Sequence, residues 1–202
     1  MKLILFFLLL LTAQAWGQTQ RPPFQEDLKI KDLEEFKEET KRKVAQFEQY
    51  ISVIADKNLP IDERQIAIEN AAKLFVPGSK MQVSSAQKGK KQKIDSYDIV
   101  EYLKRLQALP YRQVDITFYD VAFVGEFRKG DDGAYHTTAT IFQEFKGFND
   151  KGVPVYEDQT KKDIDVELRN LFDKNFYDQH GWTVRLGNIK VTETKSATTP
   201  LN

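Results

Sequence analysis

The sequence has no cysteine among its 202 residues, and this absence excludes several classes of protein. Disulfide-stapled scaffolds, thiolate zinc sites and cysteine nucleophiles all need the missing thiol. Histidine is nearly as scarce, since the chain has only His136 and His180. A zinc site needs three or four ligands, so two histidines do not supply one. We therefore expect no bound metal.

Neither sign of charge is in excess, because 30 Lys+Arg balance 30 Asp+Glu. This balance argues against a polybasic nucleic-acid binder. The sequence also lacks a glycine-rich phosphate loop, a Gly-x-Ser-x-Gly elbow and a His-Glu-x-x-His helix. Nucleotide chemistry and nucleophilic hydrolysis are therefore not expected, and no cofactor is predicted. What is present, 41% apolar and 12% aromatic residues, is typical of a globular domain rather than a disordered chain.

One short apolar run stands at the N-terminus, where Lys2 precedes nine apolar residues at 3–11 and then several small residues. A helix that crosses a bilayer needs about 20 apolar residues, so the pattern predicts a cleaved signal peptide and no membrane span. We place the signal peptide at residues 1–17, although cleavage after Ala15 is an alternative. The protein is then expected to be exported and soluble. Without disulfides, a bacterial periplasm fits better than an extracellular medium.

Helical periodicity dominates the first half of the chain. After a leader at residues 18–26, apolar residues recur with a helical period over 27–56 and again over 61–75. A short hairpin follows, and Ser96 is the predicted N-cap of a third helix that ends before Pro110.

The second half alternates with a period of two, which predicts strands near 114–124, 134–145, 156–168 and 182–194. Gly187 and Asn188 interrupt the last alternation and predict a bulge. Helices that precede an antiparallel meander indicate an α+β fold, with three helices packed on about four long strands plus the hairpin. We expect one domain over residues 27–194 and a disordered tail over 195–202.

Three segments carry a resemblance to a known family. The pattern Ile68-x-x-Ala71-Ala72-x-x-Phe75 leads into Met81-x-Val83, and the segments 97–103 and 115–124 follow at suitable distances. In these features the chain resembles the nuclear transport factor 2-like superfamily, the cystatin-like cones that include the ketosteroid isomerases. The resemblance implies a curved sheet that encloses a pocket with the helices. Some members use that pocket for isomerase or dehydratase chemistry, and others bind partners or ligands.

Asp120 is the weak catalytic candidate, because it is the ionisable member of an otherwise apolar strand face. That face also carries Val114, Ile116, Phe118, Ala122 and Val124. A carboxylate there is costly to ionise unless it is paired, so its pKa should rise or it should find a donor. With Tyr102, Tyr111 and Phe118 it could line a ligand pocket. The favoured alternative is structural: a parity shift at a bulge, a helix cap or a pair with Arg105.

The other polar clusters have simpler interpretations. A basic hairpin could bind a polyanion or only keep its tip solvated; it carries Lys88, Lys90, Lys91 and Lys93. His136 is expected on the outer sheet face and His180 in a loop. Three acids are expected on a solvated strand face with two lysines as counter-charges, namely Asp163, Asp165, Glu167, Lys161 and Lys162. Surplus apolar residues at Tyr119, Val121 and Phe123 predict a homodimer through the outer sheet face.

Three functions remain open on these observations. The first is an exported, non-enzymatic binding or interaction module. The second is a small-molecule isomerase or dehydratase with a carboxylate in its pocket, and the third is a surface protein that binds polyanions through the lysine hairpin. A deep pocket with an ionisable pair would favour the enzyme, whereas a pocket plugged by Phe and Tyr would favour the module.

Overall fold

A computed structural model describes residues 28–85, 93–172 and 180–196. Within these ranges it leaves out the side chains of residues 85, 119–122, 171–172, 180 and 196. The predicted signal peptide, the leader and most of the lysine hairpin lie outside the described residues, as does nearly all of the tail. The predictions made for those segments therefore stay predictions.

Three helices form in the described ranges: α1 (Ile30–Ala55), α2 (Ile61–Ala72) and α3 (Ile99–Gln107). The apolar stripe of α1 is buried, with Val44, Phe47 and Ile51 each 0% exposed. The predicted cap of α3 was wrong. Asp98, not Ser96, caps it, because the hairpin strand continues as far as Asp98; its carboxylate accepts a hydrogen bond from the Val100 N–H at 3.0 Å.

The strands are β1 (Lys80–Ser85), β2 (Lys93–Asp98), β3 (Gln113–Val124), β4 (Arg128–Lys129), β5 (Tyr135–Phe148), β6 (Pro154–Phe172) and β7 (His180–Ser196). They form one sheet in the order β2-β1-β7-β6-β5-β3, with the short β4 paired to β5. The α+β prediction is therefore confirmed, including four long strands and a hairpin.

One pairing corrects the expectation of a purely antiparallel sheet. Strand β1 runs parallel to β7, with Met81 opposite Ile189. The other strand pairs in the described residues are antiparallel. The parallel contact joins the early hairpin to the end of the meander, which makes a single mixed sheet with the helices packed against it. This arrangement is consistent with the cone-shaped fold that the resemblance implied.

Bulges interrupt the regular register of the long strands, as β3 and β7 show. The predicted bulge at Gly187 and Asn188 is confirmed, since the register moves from Ile164 opposite Ile189 to Val166 opposite Leu186. Strand β3 has two register shifts, between Phe118 and Asp120 and between Val121 and Phe123. The α1 side chain of Glu48 accepts the N–H of Phe118 at 2.7 Å beside the first shift. Helix α1 therefore supplies a hydrogen bond where the strand ladder is irregular.

The core lies between the helices and one face of the sheet. Phe47 of α1 packs edge-on against Phe75, with ring centroids 5.0 Å apart. Arg64 of α2, 7% exposed, donates from Nε to the Ile54 carbonyl at 2.8 Å and from Nη2 to the Gln107 carbonyl at 2.7 Å. One guanidinium thus ties the C-terminal ends of α1 and α3 together. Among the described helices, none is long and apolar enough to cross a membrane.

Candidate functional site: a tyrosine-walled cavity with a buried Lys–Asp floor

A cavity of about 440 Å³ lies between α3, the β1–β2 hairpin and strands β5 and β6. This volume is within the range of pockets that hold small organic molecules. Its walls are mostly apolar and aromatic: Val83, Tyr97, Tyr102, Leu106, Leu109, Tyr111, Phe145 and Tyr156. Its remaining lining residues are polar: Ser84, Arg105, Gln143, Asp158, Thr160 and Lys162.

Strand β6 supplies most of the polar floor. Its alternate side chains Tyr156, Asp158, Thr160 and Lys162 all line the cavity. The same alternation continues into the core, where three further residues of this face are buried: Ile164, Val166 and Leu168. One face of one strand therefore changes from apolar core to polar floor at Lys162.

The floor is buried despite its polarity. Four polar side chains on it are buried, with exposed fractions of 3% for Lys162, 4% for Thr160, 5% for Gln143 and 6% for Asp158. Lys162 Nζ donates to Gln143 Oε1 at 2.9 Å, and the Tyr156 hydroxyl donates to Asp158 Oδ2 at 2.5 Å. Thr160 Oγ1 is buried with no hydrogen-bond partner in the part of the chain that the structure describes. Buried polar groups are normally satisfied, so this floor leaves capacity for a ligand.

Burial moves both charged groups of the floor towards their neutral forms. It lowers the pKa of Lys162 from its ordinary 10.5 to about 8, although the nearby Asp158 charge opposes the change. Burial also raises the pKa of Asp158, against the Tyr156 hydrogen bond and the positive charge of Lys162. Desolvation likewise raises the pKa of Tyr102, with a further contribution from the Asp158 charge. The pKa values of Asp158 and Lys162 therefore lie closer together than those of the free side chains, as is common for groups that take part in proton transfer.

Three aromatic rings in mutual contact build one wall of the cavity, with Tyr111 and Tyr156 stacked and Phe145 edge-on to both. The ring centroid of Tyr111 lies 6.0 Å from that of Phe145 and 6.4 Å from that of Tyr156, and the last two are 5.6 Å apart. Tyr111 sits directly over Gly147 of β5, where an added Cβ would lie 2.8 Å from the ring. Glycine at this position therefore makes room for the aromatic wall.

The mouth differs from the floor in being charged and exposed. Arg105 of α3 stacks over the Tyr97 ring, with Cζ 4.2 Å from the ring centroid. Its Nη2 atom also lies 2.8 Å from Glu101 Oε1, and its side chain is 56% exposed. A ligand would pass this solvated pair before it reached the buried groups.

The structure brings together two of the four predicted ligand residues. Tyr102 and Tyr111 both line the cavity. Phe118 lies elsewhere, in the core, with its ring centroid 6.1 Å from that of Phe47. The side chain of Asp120, the predicted catalytic residue, lies outside what is described. Its backbone pairs with Phe142 next to a register shift, so simple alternation does not fix its face.

The described side chains of the other predicted clusters, His136 and Lys93, do not line the cavity. His136 Nε2 lies 3.0 Å from Asp132 Oδ1, and its side chain is 46% exposed. Of the lysine hairpin only Lys93 is described, paired with Asp95 at 2.9 Å. The prediction of a loop at His180 is wrong, because His180 is the first residue of β7 and pairs with Phe172; its side chain is outside the described residues.

The predicted counter-charges of the acidic strand face were partly wrong. Lys162 belongs to the opposite, buried face. Lys190 instead pairs with Asp165 at 2.9 Å, and Arg169 pairs with Glu167 at 2.7 Å. Two of the three acids, Asp165 and Glu167, are therefore neutralised by neighbours that alternation alone did not select, and Asp163 accepts a hydrogen bond from Thr140.

Sequence reasoning missed the whole polar floor. The alternation of apolar residues in β6 begins only at Ile164, because the residues before it are polar. Extended by the same period of two, it would have placed Lys162, Thr160 and Asp158 on the core face. Gln143 gave a similar signal, since it falls between Ile141 and Phe145 on the apolar face of β5.

No protein-family model and no curated protein sequence match the chain. Among solved structures, the chain is similar to one described as "Putative Scytalone Dehydratase" from Novosphingobium aromaticivorans DSM 12444. The two share 10% sequence identity at a TM-score of 0.45, over 84% of this chain and 93% of the other. The fold described above rests on this chain's own element order and strand pairing, and the likeness says nothing of its activity.

Proposed function

We propose that the cavity binds a small, largely apolar molecule and moves a proton on it, as an isomerase or dehydratase does. The observation that carries this proposal is the burial of an ionisable pair, Asp158 and Lys162, beneath a cavity that is not plugged by its aromatic residues. The non-enzymatic module, the first function expected from the sequence, would have a pocket plugged by Phe and Tyr side chains, whereas this cavity has a volume of about 440 Å³.

The buried pair has little value as a structural device. Removing two charged groups from water costs several kcal/mol, which their attraction recovers only with excellent geometry and full hydrogen bonding. Within the described residues, Lys162 and Asp158 have one side-chain hydrogen bond each, to Gln143 and Tyr156. An apolar pair of similar volume would stabilise this floor better, so a role in chemistry explains its presence.

The residues of the cavity would have different roles in the proposed proton transfer. Asp158 would be the general acid–base group, because burial raises its pKa and so makes its carboxylate a stronger base. Tyr102, 8% exposed, lines the cavity near Asp158 and can donate a hydrogen bond to a ligand oxygen. The aromatic wall would hold the apolar body of the ligand.

The opening of 5-nitrobenzisoxazole tests this proposal, since its rate reports a desolvated base and its product is coloured. We expect saturable turnover by the wild-type protein and a loss of roughly 100-fold in the Asp158→Asn variant. Asp163→Asn is the matched control, because Asp163 lies on the opposite face of the same strand and bonds Thr140.

Three results separate the alternatives. Turnover that falls in Asp158→Asn and not in Asp163→Asn supports the enzyme. Saturable binding of 5-nitrobenzisoxazole, with a ring-opening rate no higher than that of acetate in buffer, would contradict the enzyme and would favour a binding module. No saturation at all, with both variants folded, would remove the cavity as a small-molecule site.

We propose in addition that the protein acts after export and as a dimer. The export proposal is supported by the N-terminal pattern of Lys2 and the apolar run at 3–11, and N-terminal sequencing that finds Met1 retained would contradict it. The dimer is supported by Phe123, which is 63% exposed. Light scattering that shows a monomer at high concentration would contradict it.

A further inference from the structure

Lys162 is unusual among the groups of the cavity because its amine is a nucleophile as well as a base. It lies on the floor, 3% exposed, between the aromatic wall and the core. Gln143 Oε1, at 2.9 Å, accepts one of its protons and orients the amine, and the described residues provide it with no other hydrogen bond. An ammonium group can donate three, so this site holds the amine without satisfying its charged form.

We propose that Lys162 forms a covalent imine with an aldehyde or ketone that binds in the cavity. This inference rests on the proposed function and deepens it, since it names carbonyl compounds with an apolar or aromatic body as the ligand class. Lys162 would then hold the molecule on which Asp158 moves a proton.

Nucleophilic attack needs the neutral amine, and the surroundings of Lys162 favour that form. Burial lowers its pKa to about 8, so a useful fraction is unprotonated at mildly alkaline pH. The ionisable groups that line the same cavity from the packed elements are Asp158, Tyr156, Tyr102, Arg105, Tyr97 and Tyr111. Arg105 is bound to Glu101 at the exposed mouth, so Asp158 is the charge that most directly opposes deprotonation.

The reaction balances without an oxidant or a metal. The Nζ lone pair attacks the carbonyl carbon, a C–N bond forms, and the C=O π pair moves to oxygen, which takes up a proton as the nitrogen loses one. The carbinolamine then loses water: its C–O bond breaks, a second proton joins the departing oxygen, and the nitrogen lone pair forms the C=N bond. Asp158, whose pKa is raised, can supply the second proton in its acid form.

An iminium would also make the proposed proton transfer easier. The positive nitrogen withdraws electrons, so a proton on the carbon next to the C=N carbon becomes more acidic. The carboxylate of Asp158 lies four residues before Lys162 on the same strand face and can accept that proton. The two groups thus form one unit, with a covalent anchor and a base.

Reductive trapping tests the proposal. The wild-type protein would be incubated with 2-naphthaldehyde and sodium cyanoborohydride, which converts an imine to a stable secondary amine by hydride addition. We expect a single adduct in the intact mass, mapped by peptide analysis to Lys162. We also expect at least a tenfold faster reaction there than at Lys161, which lies on the other strand face. The rate should rise with pH to a plateau above about pH 8.

Two variants and a second probe make the outcome decisive. Lys162→Met should lose the fast adduct and Lys161→Met should keep it. Labelling spread equally over many lysines, or no adduct at Lys162, would overturn the proposal. Binding of 2-naphthoate without any adduct from the aldehyde would show Lys162 acting only as a cation, which overturns the imine. That result leaves the proposed function intact, because the latter is judged by the Asp158→Asn effect on 5-nitrobenzisoxazole.

Discussion

The two halves of the buried face of β6 obey the same alternation and have opposite character. Towards the end of the strand, Ile164, Val166 and Leu168 lie in a packed core with 0%, 2% and 0% exposure. Towards its start, Asp158, Thr160 and Lys162 are almost as well buried and line a cavity. Similar burial therefore has two different consequences. The core half gains free energy from apolar contacts, and the cavity half gives up stability for polar groups with shifted pKa values.

The largest effect is expected from breaking the core half. Ile164→Ala removes a side chain that is 0% exposed, and the surrounding strands can close the resulting space only in part. We expect a loss of about 3 kcal/mol in the free energy of unfolding, measured by denaturant titration. A loss below about 1 kcal/mol would mean that this half is not tightly packed.

The opposite sign is expected in the cavity half, where Lys162→Met replaces a buried amine with an apolar side chain of similar length. The gap between a pKa of 10.5 in the unfolded chain and about 8 in the folded protein corresponds to at most about 3 kcal/mol. We expect Lys162→Met to gain roughly 2 kcal/mol at neutral pH, because Asp158 loses a favourable neighbour at the same time.

The pH dependence of this gain follows from the direction of the pKa change. Below about pH 8 the amine is charged in both states, so the wild-type protein bears the full burial cost. Between pH 8 and 10.5 the unfolded chain binds more protons, and the wild-type protein becomes more stable as the pH rises. The advantage of Lys162→Met should therefore shrink over this window. A constant difference from pH 7 to 10.5 would contradict the lowered pKa.

A smaller effect is expected where the aromatic wall meets the sheet. Gly147→Ala places a Cβ 2.8 Å from the Tyr111 ring, which must swing away from the wall. We expect a loss of about 1 kcal/mol and weaker binding of 2-naphthoate, followed by the intrinsic fluorescence of the naphthalene ring. Gly181→Ala is the control, because a Cβ there meets nothing within 4 Å. Equal effects of both variants would indicate a general property of strand glycines rather than displacement of Tyr111.

The smallest effect is expected at Thr160, whose buried hydroxyl has no described partner. Thr160→Val keeps the shape and removes the unsatisfied polar atom, so the unfolding free energy should rise by about 1 kcal/mol or less. The same change should weaken a ligand that uses the hydroxyl. A loss of stability would show that Oγ1 is satisfied in solution, for example by an ordered water.

The sequence was a good guide wherever local patterns act alone. Helical stripes, turn residues and the parity change at Gly187 and Asn188 predicted three helices, a hairpin, four long strands and one bulge, all found in the structure. It was a poorer guide at β3, where Asp120 was assigned to the apolar face by alternation. Two register shifts interrupt that strand, and alternation does not report how many residues a bulge absorbs.

The chain by itself determined the elements and the α+β class, because hydrophobic period and turn chemistry are local properties. The tertiary structure determined where a cavity remains between those elements. Lys162 and Ile164 occupy equivalent positions on one strand face, and only the packing above them makes one a floor residue and the other core. The pKa values follow from the same packing, since desolvation depends on what the fold places around a charge and not on its neighbours in sequence.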